Sequence, residues 1–457
     1  MNETVIFIKC RLNYSLVEPG SAESSGGKAV AVIEKEYLSI LAESGQDLVF
    51  ALRDTERIIA SDYKISITLL SGEKIRLDRL GYRYEDFVRI LFQCRNEIIL
   101  QDMLAQEVIR KKDVTADVEY LPDAKGLPIN GKCRVRLYET SLVILPEQGE
   151  VVRIPFGLIE NVSCLDYRLE VLTETGEHVF LSKLGTELDP LKKSLTDALN
   201  NLGVRTHTFL KELLPGVDGV FIRQLSALMK DGRAVAKSKV ADISPSMWLE
   251  MEKVLKTTAI GPRYEYLTTL GNAENSFMGF KRGLLGDLTG DTVWFLVPFY
   301  SNVPGKPGNA VVMEMARLPQ RETEESAGVD EEEGGEEGSG HATYVFRFLD
   351  RDVYRMITNM DELEQQMKDF VNRFNRNMLT INFRRLPVYL PEKRFDEPDY
   401  IKYKFSLKRL PALRMLRAAF IGRVMHRSVE QWQADVLNVL QFNVDCRDND
   451  KKWEKGG

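Results

Sequence analysis

Catalytic and metal-binding residue types are scarce in this chain. It holds only four histidines and five cysteines in 457 residues. The histidines, His178, His207, His341 and His426, are dispersed, and no H-E-x-x-H or G-x-S-x-G occurs. The zinc-protease and nucleophile-elbow templates are therefore absent. Nor is there a G-x-x-x-x-G-K-[ST] or a G-x-G-x-x-G, which removes the two common phosphate cradles. Cys10, Cys94, Cys133, Cys164 and Cys446 are odd in number, widely spaced and without a C-x-x-C pair. That pattern fits buried reduced thiols better than a zinc knuckle or a disulfide framework. No window approaches the roughly 18 apolar residues of a membrane span. The acidic, short-cored start Met1–Ile8 does not read as a signal peptide, so a cytoplasmic location is expected. A net charge of -6 argues against wholesale nucleic-acid binding but leaves room for a local basic patch. The expectation is of no catalytic residue, no metal and no cofactor.

What the chain does contain is one stretch written twice. Asp62-Tyr63 leads through Gly72-Glu73 to Leu77 and Leu80-Gly81; Asp166-Tyr167 leads through Gly176-Glu177 to Leu181 and Leu184-Gly185, at a constant offset of 104. Seven identities fall in a window of twenty, where chance gives roughly one. The register extends outward to Gly27-Lys28 and Gly131-Lys132, and to Asn96 and Asn200. In each copy, alternating apolar residues such as Ile65, Ile67 and Leu69 predict strands, and Ser71-Gly72 or Thr175-Gly176 supplies a hairpin turn. After Leu-Gly the period becomes helical. Phe87, Ile90, Leu91, Cys94 and Ile98 share one stripe, and Leu191, Leu195, Ala198, Leu199 and Leu202 share another.

Six or seven strands closed by one C-terminal helix, ending in Leu-Gly-then-helix, resemble the pleckstrin-homology-like superfold. The resemblance covers residues 1 to about 205 as two tandem units. It implies a small β-barrel or sandwich in each half and a binding role of some kind, because this superfold hosts lipid, peptide and protein ligands alike. Modules of this kind that bind inositol phosphates carry Lys and Arg around the loop joining their first two strands. Here Asn13–Gly27, read as that loop, has none, and Pro122–Gly131 has only Lys125. Phosphoinositide binding at the usual place is disfavoured.

The fold class expected is α+β: PH-like units at 1–110 and 111–205, a helical linker at 206–262, a mixed α/β region at 263–383, and a basic helical region at 384–457. An alternative reading makes 263–383 a diverged third unit. Arg110-Lys111-Lys112 reads as the basic end of the first helix. Ser244-Pro245 reads as a helix start, and a helix pair is expected about Asp231-Gly232-Arg233. The glycine-rich stretch Gly271–Gly290 reads as a loop. Strands are expected at 292–300, 309–316 and 343–349, followed by a helix whose stripe is Leu363, Met367, Phe370, Val371, Phe374 and Met378. The acidic run within 320–340 reads as a disordered loop.

Arg384–Arg427 holds twelve Lys or Arg against four Asp or Glu. Ile401–Phe405 alternates like a strand, and Ala412 onward like a helix with Leu413, Leu416, Phe420 and Val424 on its apolar face. Lys402, Lys404, Lys408, Arg409, Arg414, Arg417, Arg423 and Arg427 are the candidate partner- or anion-binding residues. The function expected is a non-enzymatic scaffold whose tandem units bind a protein partner, with no small-molecule substrate. The alternatives are nucleic-acid or chromatin-like association through 384–427, on a loose architectural resemblance to the middle regions of histone chaperones, and peripheral attachment to an anionic membrane.

Overall fold

The computed structural model describes residues 6–20, 24–102, 107–122, 128–283, 291–301, 303, 306–318 and 342–445. The acidic run of 320–340 lies outside them, as do Lys125, His341 and Cys446. The chain divides into two compact units, residues 1–197 and 198–457.

The first unit holds two antiparallel sheets of seven strands. Strands β1 (Ile6–Val17), β2 (Ser24–Glu34), β3 (Tyr37–Ala42), β4 (Leu48–Ala51), β5 (Thr55–Ser61), β6 (Lys64–Leu69) and β7 (Lys74–Asp78) pair in the order β4-β3-β2-β1-β7-β6-β5. Strands β8 (Ile109–Leu121), β9 (Ile129–Tyr138), β10 (Ser141–Pro146), β11 (Val152–Pro155), β12 (Ile159–Leu165), β13 (Arg168–Thr173) and β14 (His178–Ser182) pair in the order β11-β10-β9-β8-β14-β13-β12. The first sheet is followed by α1 (Tyr84–Asp102), the second by α2 (Leu188–Leu213). Alternation works as expected: Ile65, Ile67, Leu69, Ile75 and Leu77 point inward and meet Phe87 and Leu91 of α1 in one core. Gly81 and Gly185, at φ 60° and 54°, turn the chain from the last strand toward the helix in each copy, a conformation glycine reaches without a steric penalty.

Two local expectations change here. Asn13–Gly27 is mostly strand, since β1 runs to Val17 and β2 starts at Ser24; the long β1–β2 pairing, Asn13 with Lys28 out to Val17 with Ser24, offsets the loop-forming tendency of Ser and Gly. Arg110-Lys111-Lys112 belongs to β8 and not to a helix end. The pairing of β8 with β9 is irregular there, with register shifts between Ile109 and Lys111 and between Lys111 and Val114.

The second unit is a six-stranded antiparallel meander, β15 (Val235–Ala236), β16 (Phe277–Arg282), β17 (Asp291–Phe299), β18 (Ala310–Arg317), β19 (Ala342–Arg347) and β20 (Phe420–Met425), in sequential order. Helices α3 (Gly219–Leu228), α4 (Lys237–Ile243), α5 (Met247–Lys256) and α6 (Gly261–Leu270) precede most of it. Then α7 (Arg351–Met356), α8 (Met360–Thr380), α9 (Leu386–Tyr389), α10 (Ile401–Arg409) and α11 (Pro411–Ala419) follow β19, and α12 (Val429–Asp445) ends it. All but the first residue of β17 and the last of β18 are buried, because both faces are covered. Phe295, Val297 and Phe299 meet Met251 and Leu255 of α5 and Leu440 of α12. On the other face Trp294 packs against Phe383 and Phe374, with ring centroids 5.3 and 6.5 Å apart. A sheet buried on both sides reads as a continuous apolar run, which is how these strands look in the sequence. All six stripe residues of α8 are buried.

Several sequence expectations are corrected in this unit. Phe277–Arg282 is a strand and not part of a loop; Gly279 lets β16 lie close to its neighbours, since a Cβ there would sit 2.4 Å from Trp294 Nε1. Asp231-Gly232-Arg233 lies between two helices as expected, α3 and α4, but the two-residue strand β15 intervenes before α4, with Asp231 left-handed at φ 56°. Helix α5 begins at Met247 behind Ser246, and Ser244 instead ends α4. Ile401–Phe405 is the start of α10, where Tyr403, Phe405 and Ser406 are all buried, so burial over a broad arc produced the false two-residue alternation. The helix from Pro411 stops at Ala419. Phe420 and Val424 belong to β20, whose pairing with β19 supplies the hydrogen bonds that further helix would have supplied.

Candidate functional site

The basic residues singled out in the sequence lie on α10, α11 and β20 or just beyond. Lys404 Nζ reaches Asp396 at 2.6 Å, and Lys402 Nζ lies 4.9 Å from the Tyr403 ring centre. Arg414 donates to the carbonyls of Leu407 and Lys408 at the end of α10. Arg417 is buried: its guanidinium donates to the carbonyls of Pro387, Val388 and Leu390 at 3.3, 3.3 and 2.6 Å and lies 4.9 Å over Phe395. Arg423 stacks 4.2 Å over Tyr389. Arg409 is half-buried, while Lys408 and Arg427 are exposed. Several of these cations hold α9, α10, α11 and β20 together, so much of the excess charge in the sequence is engaged within the fold.

The first unit offers a different feature. Ser61 pairs with Lys64 and Leu165 with Arg168, so each of two hairpins is closed by a two-residue loop, Asp62-Tyr63 and Asp166-Tyr167. All four residues are left-handed, at φ 51°, 57°, 50° and 59°. Positive φ at both central positions is the requirement of a type I′ turn, which Asn-Gly or Asp-Gly meets cheaply. Aspartate tolerates the conformation; tyrosine pays for its Cβ there with roughly 1–2 kcal/mol. Burial does not compensate, because Tyr63 is 73% and Tyr167 86% exposed. Leu165 beside Tyr167 is exposed as well, and Tyr63 leans on Tyr84 at 5.3 Å. The sequence showed the tyrosines recurring; only the structure shows that the turn would be better without them.

The two tips are carried by one body, because α1 is packed from both sides. One face fills the core of the first sheet. The other presents Ile99 and Leu100 to Tyr138, Val143, Leu145 and Val151 of the second. Across this contact Arg95 donates to Glu150 at 3.0 Å and Asn96 Nδ2 donates to the carbonyl of Gly149 at 3.2 Å. Glu97 accepts from Arg136 at 2.8 and 3.1 Å. Hydrogen bonding to Glu97, Asp113 and Tyr138 outweighs burial and holds Arg136 well above the usual arginine range.

Two other clusters have chemically active residue types. A cavity of about 530 Å³ is lined by Lys111, Lys112, Lys183, Asp113 and Glu187. Lys111 pairs with Glu187 at 2.9 Å and Lys183 with Asp117 at 2.5 Å. Burial raises Asp113, but hydrogen bonding and charge from Arg136 outweigh it and hold the carboxyl below its usual range. Two of the three lysines of this cavity therefore face carboxylates within the protein. In the second unit Glu314 accepts from Thr343 Oγ1, Trp432 Nε1 donates to the same Oγ1 at 2.8 Å, and His426 Nε2 lies 3.3 Å from Glu314 Oε1. Glu314 and Thr343 are fully buried, so this network ties β18, β19 and α12 to the residue that follows β20. Among the described residues, no group of three His, Cys, Asp or Glu is placed to hold a metal, and no helix is long and apolar enough to cross a membrane.

No family model and no curated protein matches the chain. Among solved structures, the C-terminal domain of an unknown protein from Leishmania infantum is similar at 12% identity, over 22% of this chain and 95% of that one, with a TM-score of 0.18. The N-terminal PH domain of human ARAP2 is similar at 23% identity, over 19% of this chain and 78% of that one, with a TM-score of 0.16. Neither likeness bears on function.

Proposed function

We propose that this chain is a non-enzymatic interaction scaffold whose two seven-stranded sheets form a tandem, pleckstrin-homology-like pair that binds a protein partner. The observation that carries the reading is the pair of exposed, left-handed tyrosines at matching hairpin tips of one compact body. Residues kept in an unfavourable backbone conformation without burial point to a role outside the fold. Tyrosine is also among the side chains that most often anchor protein interfaces. The dispersal of the basic residues into intramolecular contacts favours this reading over nucleic-acid or membrane association. Buried Cys10, Cys94 and Cys133 without disulfides fit a reducing, cytoplasmic setting.

The test is affinity capture with the intact protein and with a Tyr63→Ser/Tyr167→Ser variant, each with and without nuclease. Proteins retained after nuclease treatment by the parent and lost with the variant support the proposal. Capture that vanishes with nuclease, or that the variant leaves unchanged, overturns it.

A further inference from the structure

The contact that joins the two sheets of the first unit has a second set of counterparts at the constant offset of 104, and several of them are exposed. On the helix side, Arg95, Asn96, Glu97, Ile99 and Leu100 of α1 correspond to Leu199, Asn200, Asn201, Gly203 and Val204 of α2. Asn200, Asn201 and Gly203 are exposed, and Val204 is 62% exposed. On the sheet side, Arg134, Arg136, Leu145, Gly149 and Glu150 correspond to Val30, Val32, Leu41, Gly45 and Gln46. The backbone frame is the same: Val30 pairs with Leu41 as Arg134 pairs with Leu145, and Ser39 pairs with Val49 as Val143 pairs with Arg153. Gly45 and Gly149 share the left-handed turn, at φ 111° and 125°. Leu41 and Val49 are exposed on this outer face.

The substitutions between the two sets are matched across the contact. Where Glu97 meets Arg134, Asn201 would meet half-buried Val30, while Val32, the counterpart of Arg136, is already buried. Where Arg95 meets Glu150, Leu199 would meet Gln46. At these pairs charge is lost on both sides together, so docking the exposed helix face on the exposed part of the sheet face strands no ion there, and Asp47, which stands where Val151 does, keeps the Ala42 N–H as its partner. Asn200 keeps the amide that Asn96 uses on the Gly149 carbonyl, and Gly45 keeps the turn that presents such a carbonyl.

We propose that the α2 face at Asn200–Val204 of one molecule docks on the outer face of β2–β4 of a second copy, reproducing between molecules the contact that α1 makes within one. The two surfaces differ, so the association is head-to-tail: it propagates into open chains unless its rotation closes a ring. Its apolar footprint is smaller than the internal one, since Ser39, Asp47 and Gly203 stand where Val143, Val151 and Ile99 do, so it is reversible and dependent on concentration.

Sedimentation velocity of the intact protein from micromolar to near-millimolar concentration is the test, with Val204→Asp and Leu41→Asp as single-face variants. Both positions are exposed, and circular dichroism checks that each variant folds. The parent is expected to grow in mass with concentration beyond a dimer. Each variant alone is expected to weaken association by more than about tenfold. An equimolar mixture of the two is expected to form dimers and nothing larger, because only one undamaged interface exists per mixed pair. A parent that stays monomeric throughout overturns the proposal. So does an association that neither variant weakens, or a mixture that recovers no dimer.

Discussion

Arg95 Nη2 donates to Glu150 Oε1 at 3.0 Å across the contact between the two sheets, with the arginine side chain 1% exposed and the glutamate 66% exposed. A charge out of water is thus matched by one largely in it. Removing the exposed partner leaves the buried guanidinium its bonds to Thr55 Oγ1 and the Glu56 carbonyl but takes away its paired carboxylate, whereas exchanging the buried one for an apolar side chain of similar size removes the buried charge. Glu150→Ala is expected to destabilise the protein by about 2–4 kcal/mol and Arg95→Met by about 1 kcal/mol or less. Urea unfolding of both variants and of their combination decides it; a Glu150→Ala effect near zero, as for an ordinary surface ion pair, counts against this account of the contact.

Tyr167 is expected to reverse the usual sign of a mutation. Tyr167→Gly converts Asp166-Tyr167 to Asp-Gly, the sequence a type I′ turn prefers, and removes the Cβ penalty at φ 59°. Relief of strain is offset in part by the greater freedom of glycine in the unfolded chain, leaving a net gain of about 0.5–1 kcal/mol. Thermal unfolding reads the gain, and loss of the captured partner in the same variant shows that the strain serves binding.

Arg417 and Arg427 should separate cleanly although the sequence ranks them alike. Arg417→Ala leaves the carbonyls of Pro387, Val388 and Leu390 without their donor and opens a gap beside Phe395. A loss of about 2–4 kcal/mol is expected, against less than about 0.5 kcal/mol for exposed Arg427→Ala. Equal effects in denaturant melts would show that Arg417 is not a structural residue.

The buried thiols make the first unit sensitive to alkali. Burial, with Glu97 nearby, pushes the Cys94 thiol up to about 11; burial, with Asp117 and Glu147 nearby, pushes Cys133 up to about 12. The folded state then binds these protons more tightly than the unfolded one. Their stabilising contribution is complete below the ordinary thiol value of about 9 and is lost as pH rises through 11 to 12. Stability measured between pH 8 and 10.5 should fall less steeply for Cys94→Ala/Cys133→Ala than for the parent. Parallel slopes would remove the thiols as the cause.

The duplicated stretch was legible because a strand of period two, a Gly turn and a helical stripe each leave their own mark over a few residues. The run of strands closed by a helix in each copy followed from those marks, as did the burial of Leu363, Phe370 and Phe374 on α8, whereas the order of strands within each sheet came only from the structure. What failed was local evidence overridden by distant partners. Ile401–Phe405 alternates, yet it is helix because α11 and its neighbours cover a broad arc of it; Phe420 continues a helical stripe, yet it is strand because β19 offered an unpaired edge.

The sequence by itself determined the α+β class, the 104-residue spacing and the absence of the common catalytic templates, since these depend on neighbours along the chain. Only the tertiary structure decided which charges are available. Arg417 and Lys404 are engaged within the fold, Arg95 is sealed between two sheets, and Tyr63 and Tyr167 are left in water in a conformation their side chains resist. Composition counts a charge wherever it lies in the chain, but its availability depends on what the fold brings within about 4 Å of it, and that is a property of packing.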